Sequence, residues 1–183
     1  MGRNPTFSCL NDMNFMQPRL LVAGAMLALC DCASNVTLPA TAAGPPLHPI
    51  AFFEGRSHGD GELRKLFSSP VKVSVDSVGR MRNGTLVLDQ TIRESGKPAS
   101  TRRWIIVRAG PDRYSGTLTD AVGNVAGRVE GPRLYIRYTM KHGLTVQQEL
   151  AEEPDGRTIL NRLVVSRLGV RVATLDETIR KLG

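Results

Sequence analysis

The chain has 183 residues, a formal net charge of +7, and 41% hydrophobic but only 5% aromatic residues. This length fits one domain plus a tail, because a domain of more than about 100 residues buries a sufficient core without disulfides. The ordinary apolar fraction excludes a membrane helix bundle and a disordered chain. The positive charge is spread along the chain without a basic tract. We therefore interpret it as a solvated face and predict no nucleic-acid partner, with weak attraction to an anionic membrane as the functional alternative.

The amino-terminal segment has the pattern of a bacterial export signal. Residues 20–29 are apolar and follow an arginine. This stretch is shorter than the roughly 20 residues that span a bilayer, but it is typical of a signal-peptide core. A cysteine just after such a core resembles the lipobox of bacterial lipoproteins, in which that cysteine is lipidated. Cys30 and Cys32 both compete for this position, and cleavage near residues 40–42 is the alternative that leaves a soluble periplasmic protein.

The chain divides into three parts by composition. Residues 1–32 are the predicted signal and lipoprotein segment, which would anchor the protein in the inner or outer membrane, facing the periplasm. Prolines and small residues dominate residues 33–49, a composition typical of a flexible linker. Residues 50–183 form the predicted domain, and they contain no cysteine. A disulfide and a thiol nucleophile are therefore excluded from the domain.

Apolar and polar residues alternate through most of the domain, which predicts strands. The clearest case is the hairpin over residues 133–152, in which Leu134, Ile136 and Tyr138 share one face. Asn83-Gly84 is the strongest short hairpin signal, because both positions accept a positive φ. About nine strands follow one another without a helical crossover, which favours an antiparallel meander that closes on itself to protect its edges.

Three elements at the ends of the domain are predicted separately. Residues 51–56 form a short strand, and glycines break it over residues 57–61. Residues 62–67 form one helical turn. Thr174 and Glu177 have the spacing of a capping box, which predicts a short C-terminal helix that ends near residue 182.

A set of short motifs in fixed order runs through the domain. These are Phe52-Phe53-x-Gly55, Trp104-x-Ile106, Tyr114-x-Gly116, Asp120-x-x-Gly123, Gly127, Gly131-x-x-Leu134, Tyr138, Asn161-Arg162 and Ser166 to Gly169. Together they resemble a bacterial lipoprotein family known as domain of unknown function 3833, over roughly residues 52–182. The resemblance implies a cell-envelope protein with a lipocalin-like barrel, a fold that carries small apolar ligands, but it implies no reaction. The expected fold class is all-β: an antiparallel up-and-down, lipocalin-like barrel of 8–10 strands with a short C-terminal helix.

Catalytic and metal-binding motifs are absent from the domain sequence. It has no H-E-x-x-H, G-x-S-x-G or phosphate-binding loop motif. His58, Asp60 and Glu62 alternate with glycines and resemble a metal cluster, but the glycines favour a solvated loop. We therefore predict no catalytic residue, no metal and no cofactor, and we expect the protein not to be an enzyme.

Five residues are candidates for a ligand site. Trp104 is predicted to point inward, because burying an indole stabilises more than burying a valine. Ile106 shares its face, and Arg108 would lie at the barrel mouth with its guanidinium in water. Tyr138 lies on the apolar hairpin face, and Asn161 is a polar residue in an otherwise apolar strand face, so it needs hydrogen-bond partners if it is buried.

Two functions are compatible with these residues. The first is a cell-envelope lipoprotein whose barrel binds a small apolar or amphipathic ligand, with any anionic head group near Arg108. The alternative is a structural or assembly factor of the envelope with a fully packed barrel and no ligand. Interior volume discriminates between them, since a ligand site needs a cavity.

Overall fold

A computed structural model describes Leu38 and residues 44–183 of the chain. One short helix, α1 (Pro49–Phe53), precedes ten strands. The strands are β1 (Gly55–Lys65), β2 (Val71–Arg82), β3 (Thr85–Glu94), β4 (Ser100–Arg108), β5 (Arg113–Leu118), β6 (Val125–Glu130), β7 (Arg133–Met140), β8 (Leu144–Glu152), β9 (Thr158–Arg167) and β10 (Val170–Leu182). A single 3-10 turn, Lys141–Gly143, joins β7 to β8.

The ten strands form one closed antiparallel barrel in chain order. Each strand pairs with the next, and β10 pairs with β1 to close the ring. Closure leaves no strand edge unpaired, which protects the barrel from edge-to-edge association. The predicted all-β, antiparallel, up-and-down barrel of 8–10 strands is confirmed.

The predicted C-terminal helix is wrong, since this part of the chain is the 13-residue strand β10. Leu175, Glu177 and Ile179 alternate along it and face inward, opposite Leu163 and Ile159 or their neighbours on β9. The apparent capping box predicts a short helix, and a helix of this length has only marginal stability in isolation. As a strand, the same residues hydrogen-bond to β9 on one side and β1 on the other, which decides the conformation.

The elements predicted at the start of the domain are also wrong. The only helix among the described residues lies at the amino-terminal side, at Pro49–Phe53, and residues 55–65 form one continuous strand. The glycines that indicated a break serve close packing instead. A Cβ at Gly59 would lie 2.0 Å from Glu177 Oε1, and a Cβ at Gly61 would lie 2.5 Å from the Asp176 carbonyl oxygen. Glycine in a strand interior often marks such close approach.

The antiparallel order gives the barrel two distinct ends. The turns that follow β2, β4, β6 and β8 lie at the end where β1 begins, beside α1; we call this the capped end. The Leu47 amide donates a hydrogen bond to the Gly131 carbonyl there, at 2.9 Å. A Cβ at Gly79 would lie 1.8 Å from the Phe53 carbonyl oxygen, so α1 sits directly on β2. The turns that follow β1, β3, β5, β7 and β9 form the opposite end, which we call the distal rim.

Two leucines of the predicted linker pack against the barrel. Leu47 is buried in the core, and Leu38 is buried with its amide 3.2 Å from Glu149 Oε2. These residues therefore belong to the folded unit, although composition indicated a flexible linker. The predicted signal segment and both candidate lipidation sites, Cys30 and Cys32, lie outside the described residues. Within the described part of the chain, no helix has the length and hydropathy to span a membrane.

Candidate functional site

The barrel interior contains a small cavity between the capped end and the middle of the barrel. Its volume is about 70 Å³. Apolar side chains form most of its wall: Phe53, Leu88, Trp104, Ile106, Leu134 and Leu150. A water molecule needs about 10–15 Å³ by this measure, so the cavity has room for several waters or a compact organic group. A ten-stranded barrel is wider than the eight-stranded kind that side chains just fill, which explains why some space remains.

Three polar side chains on one wall of the cavity form a hydrogen-bonded chain. Glu177 is only 9% exposed and lies on β10 opposite Asn161 of β9. Asn161 Nδ2 donates to Glu177 Oε2 at 2.7 Å, and Gln148 Nε2 donates to Asn161 Oδ1 at 2.9 Å. Gln148 Oε1 is buried and has no hydrogen-bond partner in the described part of the chain. The chain therefore begins at a carboxylate and ends at an unsatisfied carbonyl oxygen.

Opposing influences act on the pKa of Glu177, and burial is the largest. Burial raises the pKa of this carboxyl above its usual value, because the charged form loses hydration. The hydrogen bond from Asn161 and the positive charge of Arg102 act in the opposite direction and stabilise the carboxylate. The net effect is a raised pKa for Glu177, a buried carboxyl that accepts a hydrogen bond from the Asn161 side-chain amide.

A second polar group lies on the other side of the cavity. Gln90 Oε1 accepts hydrogen bonds from Trp104 Nε1 at 2.8 Å and from Arg102 Nε at 2.7 Å. Gln90 Nε2 donates to Ser77 Oγ at 2.9 Å. The Arg102 guanidinium carbon lies 5.8 Å from the centre of the Trp104 ring, within the range of a cation–π interaction. The cavity thus has a cationic and an acidic group on opposite walls, with apolar side chains between them.

The structure brings together four of the five predicted site residues. Trp104, Ile106 and Asn161 line the cavity. Tyr138 is buried behind them, with its ring edge-to-face against Trp104 at 5.7 Å. Arg108 is exposed and lies outside the lining, where its guanidinium sits 5.8 Å from the Tyr114 ring centre. A ligand role for any of these residues stays a prediction.

Among the lining residues that sequence reasoning missed are the four whose polar side chains form the hydrogen bonds described above: Gln90, Arg102, Gln148 and Glu177. The signal that selected Asn161 was present for three of them. Gln90 lies between Leu88 and Ile92, Gln148 between Val146 and Leu150, and Glu177 between Leu175 and Ile179. Each is a polar residue in the inward-facing phase of an alternating strand. Glu177 was missed because its segment was assigned to a helix.

The group around His58 lies on the outer wall of the barrel. His58 is in strand β1 and not in the predicted loop; its Nδ1 is 2.6 Å from Asp76 Oδ1 and its Nε2 is 3.2 Å from Asp60 Oδ1. The described residues contain no group of three or more His, Cys, Asp or Glu side chains that could hold a metal ion. The geometry is that of a surface ion-pair cluster.

This cluster makes folding stability depend on pH. The hydrogen bond with Asp76 raises the pKa of His58 above 6.5, with further support from Asp60. The folded state therefore holds this proton more tightly than the unfolded chain. The contribution is fully present below pH 6.5 and is lost as the pH rises through the raised pKa. We expect Asp76→Asn to return the His58 pKa toward 6.5 in an NMR titration, whereas an unchanged titration would contradict the pairing.

The closed barrel of ten antiparallel strands in chain order, the helix over one end and the small interior cavity define an up-and-down β-barrel protein. Sequence comparison then assigns the chain within this class. The profile of the family described as protein of unknown function (DUF3833) matches residues 26–181, so the chain belongs to this family. The resemblance found from the sequence motifs is confirmed. No curated protein sequence gave a significant match.

Three solved structures share the fold at low sequence identity. The S-type phycobiliprotein lyase CPES from Guillardia theta is similar with a TM-score of 0.60 at 4% identity, over 73% of this chain and 90% of the lyase. Rv2717c from M. tuberculosis has a TM-score of 0.59 at 14% identity, over 75% of this chain and 99% of that one. A protein of unknown function of the DUF3598 family from Nostoc punctiforme has a TM-score of 0.57 at 12% identity, over 75% and 50%. At these identities the likeness shows the fold alone.

Proposed function

We propose that the barrel binds a small amphipathic molecule that carries a hydrogen-bond donor. Its apolar part packs against Trp104 and Ile106, and its donor group meets Gln148 Oε1. The observation that carries this proposal is that Gln148 Oε1 is buried beside the cavity and has no hydrogen-bond partner among the residues that the structure describes. An unsatisfied buried carbonyl group destabilises a protein by about 1–3 kcal/mol. A ligand whose donor group hydrogen-bonds to this oxygen would therefore gain binding free energy of similar size.

The orientation of the amide chain supports an acceptor at this position. An ionised carboxylate only accepts hydrogen bonds, so Asn161 must turn its NH₂ group toward Glu177 and its carbonyl toward Gln148. Gln148 then donates to Asn161 and presents its own carbonyl oxygen. While Glu177 is charged, the site therefore selects a hydroxyl, amide or ammonium donor over another acceptor.

The volume of the cavity restricts the ligand and also favours the second candidate function. A dry cavity of about 150 Å³ is known to accept benzene, whereas this one has about 70 Å³. The enclosed part of a ligand is therefore compact, and a long acyl chain does not fit without expansion of the barrel. A nearly filled interior is what a structural or assembly factor with a packed barrel would have. The similarity to a phycobiliprotein lyase supports a binding barrel at the level of fold only.

Trp104 provides the test, because it is the only tryptophan in the chain. We expect ethanol to change its emission saturably and acetonitrile, which is of similar size but lacks a hydrogen-bond donor, to bind about 2- to 10-fold more weakly. Gln148→Leu should abolish this preference. Arg108→Ala is the matched control, since Arg108 lies outside the cavity lining; under the earlier hypothesis of an anionic head group, it would weaken fatty acids selectively.

Two outcomes would contradict the ligand proposal. One is the absence of a saturable emission change with either probe. The other is native mass spectrometry of protein from its own host that shows no co-purified small molecule. Together they would favour the packed-barrel function.

Anchoring in the bacterial cell envelope is part of the proposal and rests on the sequence of the amino-terminal segment. Replacing Cys30 and Cys32 together with serine is expected to move the protein from the membrane to the soluble fraction. The fractionation is done at high salt, which screens attraction between charges. Membrane association that persists in the double variant would contradict a lipid anchor and favour a different mode of attachment.

A further inference from the structure

The distal rim carries the most exposed apolar side chains of the barrel. Among the described residues, Phe67 is 97% exposed and Leu168 is 94% exposed. The next three in exposure are also on this rim: Val170, Val122 and Leu66. Single exposed apolar residues are ordinary on protein surfaces, but these five are concentrated at one end of the barrel.

The backbone at the two tips makes these residues unusual. Phe67 has φ 61° and Leu168 has φ 49°, which is the left-handed region that residues with a Cβ disfavour. The chain contains a matched turn for comparison. Asn83-Gly84 also joins two strands through two residues of positive φ, 49° and 78°, and has the preferred asparagine where the rim has Leu168. Folding alone therefore favours a polar residue at position 168.

The two tips lie side by side and are bordered by basic residues. The Leu66 amide donates to the Val172 carbonyl at 2.9 Å, which ties the turn after β1 to strand β10, close to Leu168. Residues 65–72 and 167–171 include the basic residues Lys65, Lys72, Arg167 and Arg171 and no acidic residue. Lys65 pairs with Glu94 at 2.5 Å, whereas the other three form no ion pair within the described residues. Basic side chains thus flank the two apolar hairpin tips.

We propose that the distal rim docks on the surface of an anionic lipid bilayer, with Phe67 and Leu168 inserted among the head groups. Convex hairpin tips fit a deformable interface, whereas protein hot spots are usually held in pockets. Aromatic and aliphatic side chains gain free energy at the acyl boundary, and Lys or Arg beside them gain about 1 kcal/mol each from anionic lipid. Each basic residue is therefore worth about fivefold in affinity on a charged bilayer. This inference does not depend on the ligand proposed above.

The test uses the full chain with Cys30→Ser and Cys32→Ser, so that no acyl anchor contributes. Its readout is co-sedimentation with vesicles of phosphatidylcholine and phosphatidylglycerol, compared with pure phosphatidylcholine. We expect Phe67→Asn to weaken binding to the mixed vesicles about tenfold or more. The double variant Arg167→Gln/Arg171→Gln should bind the mixed vesicles about 25-fold more weakly, and its affinity for neutral vesicles should change little. Leu168→Asn should weaken binding while it raises the melting temperature, so loss of fold cannot explain its effect.

Ile105→Asn is the matched control, because Ile105 is 41% exposed on the barrel wall away from the rim, and it should leave binding unchanged. A site-specific readout complements sedimentation, since the amino-terminal segment is common to all variants. In Phe67→Trp, bilayer-embedded bromolipids should quench the added emission. Equal binding of the rim variants and the parent, or no quenching at position 67, would overturn the proposal. Self-association that Phe67→Asn abolishes without any vesicle effect would likewise overturn it in favour of a second copy of the chain.

Discussion

Replacing Arg133 with methionine is expected to lower the free energy of unfolding by about 3–5 kcal/mol. The Arg133 guanidinium pairs with Glu149, whose side chain is only 2% exposed. Glu149 Oε2 also accepts a hydrogen bond from the Leu38 amide at 3.2 Å, so the carboxylate lies against the backbone of this buried residue. Without Arg133, the Glu149 carboxylate would remain buried and would lack the ion pair that compensates for its lost hydration. For a domain of this size we expect a fall in melting temperature of roughly 10 °C or more.

The double variant Arg133→Met/Glu149→Met separates the ion pair from general packing. Replacing both partners by apolar groups of similar volume is often neutral, so most of the stability should return. Thermal unfolding followed by circular dichroism measures both variants. A single variant as stable as the parent, or a double variant as unstable as the single one, would show that the burial of Glu149 is not what makes Arg133 necessary.

Replacing Asn161 with leucine is expected to destabilise the barrel by about 3 kcal/mol near neutral pH. Asn161 is the direct partner of the buried Glu177 carboxylate and of Gln148, so its loss leaves both without that hydrogen bond. The effect should depend on pH in a defined direction. Asn161 favours the charged form of Glu177, so its removal raises a pKa that burial already holds above 4.5. A raised folded pKa means that stability is present at low pH and falls as the pH rises through that value.

Chemical denaturation of Asn161→Leu at acidic and neutral pH measures this dependence. The loss relative to the parent should be smaller at acidic pH, where Glu177 is protonated in both states. Adding Glu177→Gln to Asn161→Leu should recover stability at neutral pH and flatten the profile, since no charge remains to be buried. A loss that is equal at all pH values would mean that Glu177 is not the group that Asn161 supports.

The candidate site was predictable to the extent that it depends on alternation within single strands. The inward position of Trp104 and the burial of Asn161 follow from their place among apolar residues two positions away. The place of Arg102 in the cavity lining was not predictable in this way. Arg102 and Arg108 lie on the same face of β4, and only the position of the other strands makes Arg102 a lining residue while Arg108 stays exposed.

The helix and strand assignments show the same division. Asn83-Gly84 encodes its turn locally, because these two residues accept positive φ wherever they occur. The segment around Thr174 encodes two local structures, a capped helix and an alternating strand, and its sequence does not choose between them. The choice depends on hydrogen bonds to β9 and β1, and β1 lies more than 100 residues away along the chain.

The sequence by itself determined the all-β class, the hairpin order and which side chains of a predicted strand share a face, because a period of two is a property of neighbouring residues. The tertiary structure decided the closure of the ring through β10, the seating of α1 on Gly79, and the partners of Glu177. It also decided the volume of the cavity and the gathering of Phe67 and Leu168 on one rim. These features depend on contacts between residues far apart in the chain, whose distances are set by the pairing of all ten strands at once.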